Sequence, residues 1–541
     1  MNGKLTHSWA LPPTWLRFLV IVILILGIFF RFVNIDRKLY WFDETFTSLR
    51  VSGYTVLEVK KQICNGQEIS VEDVQKYQRL AREKTLIDTI KSLAVEDSQH
   101  PPLYYVIARF WMQWFGSSVA VTRIVSALLS LLAFPCMYWL CLELFESSLV
   151  GWVAMALLAV TPFHVLYAQE AREYSLWTVT ILLSSATLLR AMRLKTKLSW
   201  GMYAISVVLA LYTFLLSGLV MIAHGVYVFA IERFRFTKKV IAYLVASSVG
   251  LFAFTPWLVA VVTHLDKIKE TTSWIDTKMP VLTLMETWAV NLTYFFIDFD
   301  YDLTRPNDGS ILKLIVKLLI PIILIFVGYA IYFLYRKTQK WAWLFVLTLI
   351  NVTALPLAIP DLLFGGVRSI SPRYLIPAYL GIQLAVSYLL GTQIIPKSIN
   401  TWRQKLWQLV MGMLLTVGVL SCVMSSQAET WWLKYLNLNT PEMVRMINQS
   451  EDPLLVSSCQ ESSSIGDAMV FSHLLAPKAR LQLVNESYIP EISHSSHNVF
   501  LYDPYHNRLP QTLRHKLENN QKLKTGNVYF EKLNLWKLAN S

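Results

Sequence analysis

Between residues 15 and 424 the sequence returns repeatedly to apolar runs, most of them long enough to cross a hydrocarbon layer as helices. They fall at 15–33, 120–142, 149–166, 174–189, 200–216, 217–231, 240–262, 311–335, 341–359, 374–390 and 406–424. Lipid offers no partner to backbone N–H and C=O groups, so such runs must be helices that satisfy themselves. The expected fold is therefore a polytopic α-helical membrane protein with about 11 transmembrane helices. A net charge of +13 would point to nucleic acid in a soluble chain. Here the basic residues cluster in short loops between apolar runs, where they set orientation, and no nucleic-acid partner is expected.

The first run, 15–33, is about 28 Å long as a helix. No small-residue cleavage site follows it, so it reads as a retained anchor, with Arg17 and Arg31 able to snorkel. The segment 71–93 alternates charge with apolar positions and predicts one amphipathic helix. Residues 101–115 are too short to span and carry Arg109, which predicts an interfacial helix. The run 200–231, with Gly218 near its middle, is read as two short helices. Basic clusters at Arg190–Lys197, Arg233–Lys239, Arg336–Lys340 and Lys397–Lys405 share a side with the N-terminus if the spans number eleven. That side is then cytoplasmic, and the intervening loops are extracytoplasmic.

Residues 1–425 are expected to form the transmembrane module, with 34–119 as its first outer loop. Residues 426–541 are expected to form a small extracytoplasmic α/β domain. In it 454–457, 480–484, 498–502 and 528–533 read as strands, 466–474 and 509–519 as helices, and 524–527 as a turn. The five cysteines, Cys64, Cys136, Cys141, Cys422 and Cys459, show no metal-ligand spacing and no inferable disulfide framework.

The polar residues that punctuate the outer edges suggest chemistry. Asp43 and Glu44 follow Trp41 and Phe42 just beyond the first span. A carboxylate there can accept a proton from a hydroxyl as that hydroxyl forms a bond, which makes Asp43 the candidate base. Glu44 can orient it or the acceptor; a solvated helix start is the plain alternative. His100, fixed before Pro101 and Pro102, can hydrogen-bond a sugar or phosphate oxygen. Tyr104 and Tyr105 can shape the pocket. Glu170 and Arg172 share a very short turn; they are either an ion pair or a contact to acceptor and phosphate. Arg373, before Tyr374, stands where a loop becomes a span, and its fork suits a phosphate. Arg368 is a second such donor. His224, deep in an apolar run, reads as an interhelix hydrogen bond. Asp43, Glu170 and His100 are compatible with a divalent ion, but their spacing is no ligand motif, and no obligatory metal is expected.

The motifs Trp41-Phe42-Asp43-Glu44, His100-Pro101-Pro102-Leu103-Tyr104-Tyr105, Gln169-Glu170-Ala171-Arg172-Glu173-Tyr174 and Ser371-Pro372-Arg373-Tyr374-Leu375 resemble those of the GT-C polytopic glycosyltransferases. Within these, the chain is similar to the family 39 bacterial relatives of protein O-mannosyltransferases and to aminoarabinose transferases. The resemblance covers roughly residues 18–432. It implies a donor sugar carried on polyprenyl phosphate and an inverting transfer at the outer face of the cell's inner membrane, to a glycan, lipid or protein acceptor. It implies acceptor activation by Asp43, with Glu170 nearby. Arg172 and Arg373 would then face the donor phosphate. Where aminoarabinose transferases carry Glu-Lys before the two prolines, this chain has Gln99-His100. A transporter or flippase of lipid-linked sugar is the alternative, although the polar residues gather at one face and no repeated halves are visible.

Overall fold

Pro162 puts a sharp bend into the helical membrane core. In the computed structural model, which describes residues 13–299, 311–395, 401–485, 498–502, 528–530 and 535–537, helix Ser148–Val160 ends at Thr161 and Pro162–Ala168 leaves at 60°. Proline has no N–H to give the carbonyl of Leu158. Arg31 supplies the missing donors: Nη2 reaches Leu158 O at 3.1 Å and Nη1 reaches Ala159 O at 2.7 Å, while Nε donates to Ser130 Oγ. A Cβ on Gly27 would stand 2.5 Å from Ala159 O, so only glycine permits this approach. Arg31 is thus buried, 1% exposed, and does not snorkel as the sequence suggests. The C-terminal carbonyls of a helix are a better environment for its charge than an apolar helix end. Arg31→Ala strands these buried carbonyls at about 1–3 kcal/mol each. Thermal unfolding in detergent is expected to show a clearly lowered midpoint, only partly restored by Arg31→Lys.

The chain divides into two units. The first comprises Met1–Ile35, Asp97–Tyr104 and Arg123–Gln427; the second comprises Asp36–Glu96, Tyr105–Thr122 and Ala428–Ser541. Among the described residues, eight helices are long and apolar enough to cross a membrane, or nine with the bent pair. The protein is therefore a multi-pass integral membrane protein. The sequence count of about eleven is higher because it includes Lys197–Thr213 and Ser217–Ile231, which have 17 and 15 residues. The chain between them breaks at Phe214, whose backbone is extended. His224 bridges Ser185 Oγ and Tyr203 Oη at 3.2 Å each, the interhelix role read for it. Between the membrane helices Lys238–Thr263 and Ile311–Lys337 lies a further helix, Val281–Phe296, which the polar residues around it conceal in the sequence. Asp300, Asp302, Asp308 and Lys397 lie outside the described residues.

The second unit is built on a six-stranded sheet: β1 (Glu68–Ser70), β2 (Pro453–Ser458), β3 (Arg480–Val484), β4 (Asn498–Tyr502), β5 (Val528–Phe530) and β6 (Leu535–Lys537). Its order is β1-β3-β2-β4-β6-β5. The central β3, β2 and β4 are parallel, and β1 closes one edge antiparallel to β3. β2 is buried along its whole length, as expected of a central parallel strand covered on both faces. Helix Ser462–Ser472 links β2 to β3 and buries Ile465, Met469 and Phe471 with Leu49, Val59 and Val74 from the first polar segment. Cys64 and Cys459 form a disulfide that joins these two parts of the chain. The 509–519 helix and the 524–527 turn lie outside the described residues.

Two readings of the first polar segment resolve differently. The single helix expected over 71–93 is two, Val71–Gln75 and Leu86–Glu96, separated by Lys76–Gln78 and a turn. Ser70 and Asp73 form a capping box, and Thr85 with Asp88 starts the second helix, so local caps override the common amphipathic pattern. Leu103–Phe115 has 13 residues and is below spanning length, as expected. Arg109 is buried against the second unit's own carbonyls: it donates to Val51 O at 2.8 Å and also reaches Lys84 O.

Candidate active site

In the first unit, a turn between two membrane helices collects the charged motif. Gln169 Nε2 donates to Phe30 O and Val33 O, capping the first helix and fixing where the turn begins. Arg172 N–H closes on Glu170 O at 2.7 Å, and Ser126 Oγ holds Arg172 O at 3.0 Å. Tyr104 Oη hydrogen-bonds Ser126 Oγ at 2.8 Å. Tyr104 therefore shapes the site through the backbone of Arg172.

His100 meets this turn from the other side. Asp97 O accepts His100 N–H, and the two prolines carry the chain into helix Leu103–Phe115. His100 Nδ1 lies 2.8 Å from Glu173 Oε1, and Arg172 Nη2 lies 3.4 Å from His100 Nε2. A carboxylate only accepts and a guanidinium only donates. The consistent tautomer therefore has Nδ1–H donating to Glu173 and Nε2 accepting from Arg172. Burial would raise the Glu173 carboxyl, but Arg172 and His100 outweigh it and hold it at about 2. Because the folded value is depressed below the ordinary 4.5, this carboxylate's contribution to stability is complete above about pH 4.5. It is lost as pH falls toward 2. Glu173→Gln is expected to flatten the acid side of a plot of melting temperature against pH.

Arg373 completes the group. Its guanidinium lies 5.9 Å from the centre of the Tyr174 ring and 5.5 Å from that of Tyr374; Arg172 lies 5.6 Å from the same Tyr174 ring. Two cations thus share one aromatic ring, at cation–π distances. Tyr374 is stacked near Phe214 and Trp274, with interplanar angles of 27° and 28°. The loop before Arg373 is pinned by Val281–Phe296: Trp288 Nε1 donates to Ser369 Oγ and Asn291 Nδ2 to Ile370 O. Arg368 is engaged by two carboxylates, Asp361 at 3.1 Å and Asp276. Its charge is therefore balanced within the loop, and its place is that of a lock on the Arg373 segment.

The structure thus brings His100, Tyr104, Glu170, Arg172, Arg373 and Tyr374 into one unit. Asp43, Glu44 and Tyr105 belong to the other. Asp43 is half-buried in the first turn of helix Phe42–Val51. Glu44 is fully buried and accepts a hydrogen bond from Lys434 Nζ at 2.9 Å. Tyr105 is buried. Glu173, Phe214 and Trp274 were not among the sequence candidates. Glu173 stands in the quoted motif, but nothing in a six-residue turn says which of two acids faces His100. Among the described residues no group of three or more His, Cys, Asp or Glu is placed to hold a metal ion.

Residues 99–259 match the dolichyl-phosphate-mannose-protein mannosyltransferase family. No curated protein matches the sequence. The archaeal oligosaccharyltransferase AglB from Archaeoglobus fulgidus, solved with an inhibitory peptide and a dolichol-phosphate, aligns with a TM-score of 0.50 and 11% identity over 85% of this chain. The alignment covers 64% of that protein, less than two thirds of its length. ArnT from Cupriavidus metallidurans bound to undecaprenyl phosphate aligns with a TM-score of 0.47 and 12% identity, over 97% of this chain and 98% of that one. By sequence over residues 99–259 and by fold over most of its length, this chain resembles the GT-C polytopic membrane glycosyltransferases.

Proposed function

We propose that the protein is an inverting glycosyltransferase that uses a sugar carried on a polyprenyl phosphate. The observation that carries this reading is the pair Arg172 and Arg373 over one tyrosine ring at the end of a membrane helix. Two guanidiniums there suit a phosphate whose lipid tail stays in the bilayer. The acceptor hydroxyl attacks the anomeric carbon. The bond from that carbon to the phosphate oxygen breaks, and polyprenyl phosphate leaves with the electron pair. Arg172 and Arg373 stabilise the charge that grows on the leaving phosphate, and His100, between Glu173 and Arg172, orients the Arg172 guanidinium toward it. Asp43 takes the acceptor's proton and Glu170 orients reactants, while Glu44, buried against Lys434, orients Asp43. No metal is required by this scheme.

The chemistry is assigned to the extracytoplasmic face. Two features support this: the basic loop clusters, and the Cys64–Cys459 disulfide, which suits an oxidising compartment. Eleven crossings follow if the bent pair, Lys197–Thr213 and Ser217–Ile231 each count as one. The C-terminal segment 426–541 is then outside as well, where it modulates the reaction or selects the acceptor. A C-terminal tag is expected to be digested by protease added to intact spheroplasts; protection would overturn the orientation.

The function is tested with purified protein in liposomes, offered polyprenyl-phosphate mannose, glucose, galactose and aminoarabinose together with periplasmic and outer-membrane extracts. Mass analysis is expected to find a glycosylated product from at least one donor. Movement of donor across the bilayer with no transfer to any acceptor would replace this reading with that of a flippase.

A further inference from the structure

We infer that Lys434 and Asn437, in the segment after the last membrane helix, are positioning residues for Asp43; this rests on the reading of Asp43 as the base. The sequence gives helix Phe42–Val51 no side-chain cap of its own, because Trp41 occupies the N-cap position. An uncapped start leaves its first N–H groups without helical partners. Asn437 Oδ1 accepts the Phe42 N–H at 3.1 Å and so caps the helix from a site 395 residues away. Glu44, two positions on, receives the Lys434 ammonium at 2.9 Å, with both side chains at most 3% exposed. Lys434 also lies 5.5 Å from the centre of the Trp41 ring. Just upstream, Leu39 N–H donates to Glu429 O at 2.7 Å. Residues 39–44 are therefore held at Leu39, Phe42 and Glu44 by residues 429–437, and of the two acids in the set Asp43 is the half-buried one.

Successive helical residues point about 100° apart. Fixing Phe42 through its N–H and Glu44 through its carboxylate sets the direction in which the Asp43 side chain leaves the helix. A buried ion pair is weak evidence for stability, because desolvation offsets much of its attraction. Geometric specificity is the better reason for placing one beside a base. The C-terminal segment then does more than pack a domain: it sets the aim of a residue near the other end of the chain.

The test uses the full-length protein and the polyprenyl-phosphate hexose that gives product in the donor panel. Asn437→Ala is expected to lower kcat about 10- to 100-fold, the cost of a misaimed group, with donor KM unchanged. Asn437→Asp keeps an acceptor for the Phe42 N–H and is expected to restore most of kcat. Lys434→Met with Glu44→Gln removes the pair without stranding a buried charge, and is expected to lower kcat likewise. Should that double variant not fold, the Asn437 series decides. Wild-type kcat in Asn437→Ala, with Asp43→Asn inactive, would overturn the positioning role and leave the base. Activity in Asp43→Asn would remove the base and this inference together.

Discussion

Asp43→Asn is expected to lose about 10²- to 10⁴-fold in turnover, the usual contribution of a general base, while donor binding stays near wild type. The substitution is nearly isosteric, and asparagine is tolerated at a helix start, so the helix Phe42–Val51 should persist. Asp43 lies in the first turn of that helix, and it accepts the acceptor's proton late, as the new glycosidic bond forms. Donor affinity and single-turnover transfer, measured on the same preparation, separate binding from chemistry. Wild-type turnover in folded Asp43→Asn would end the assignment.

Arg373→Ala is expected to weaken use of the lipid-linked donor about 10- to 150-fold, the equivalent of a charge-assisted bond of roughly 1.5–3 kcal/mol. Arg373→Lys should recover only part of this. Lysine keeps the charge but lacks the planar fork, and the fork is what lies near the rings of Tyr174 and Tyr374. Neither change should alter which sugar is preferred, because the guanidinium reads phosphate alone. Measuring donor KM and kcat across the panel tests both points. Full donor affinity and turnover in both variants would show that the phosphate is held elsewhere.

The membrane helices were legible because length and apolarity act locally. Strands β3 and β4 were legible to the residue because turn-forming sequence bounds their apolar runs. Arg31 was not, because its partners exist only once Pro162, more than a hundred residues on, frees a carbonyl. The split of the 71–93 segment was present as Ser70–Asp73 and Thr85–Asp88 caps, but the amphipathic pattern runs across both pieces. In the site, the charged motifs named the residues that gather around Tyr174. Phe214 and Trp274 could not be named, since one marks a helix break inside an apolar run and the other stands in a polar loop. Arg368 reads as a phosphate donor in the sequence, but the fold sets two carboxylates beside it: Asp276 precedes helix Val281–Phe296 and Asp361 lies within helix Lys340–Phe364.

The link between Cys64 and Cys459 sets a timetable for biosynthesis. The two residues are 395 apart, so a ribosome adding about 5–20 residues per second makes the second roughly 20–80 s after the first. Throughout that interval β1 has no strand to pair with, because β3 is made later still. Cys64 waits as a thiol, yet the wait carries little risk of mispairing within the chain. Cys136, Cys141 and Cys422 are held in apolar helices, out of reach of an aqueous thiol. Cys459, the partner of Cys64, follows the helix Thr401–Gln427, so the bond can form only after the membrane helices have been made.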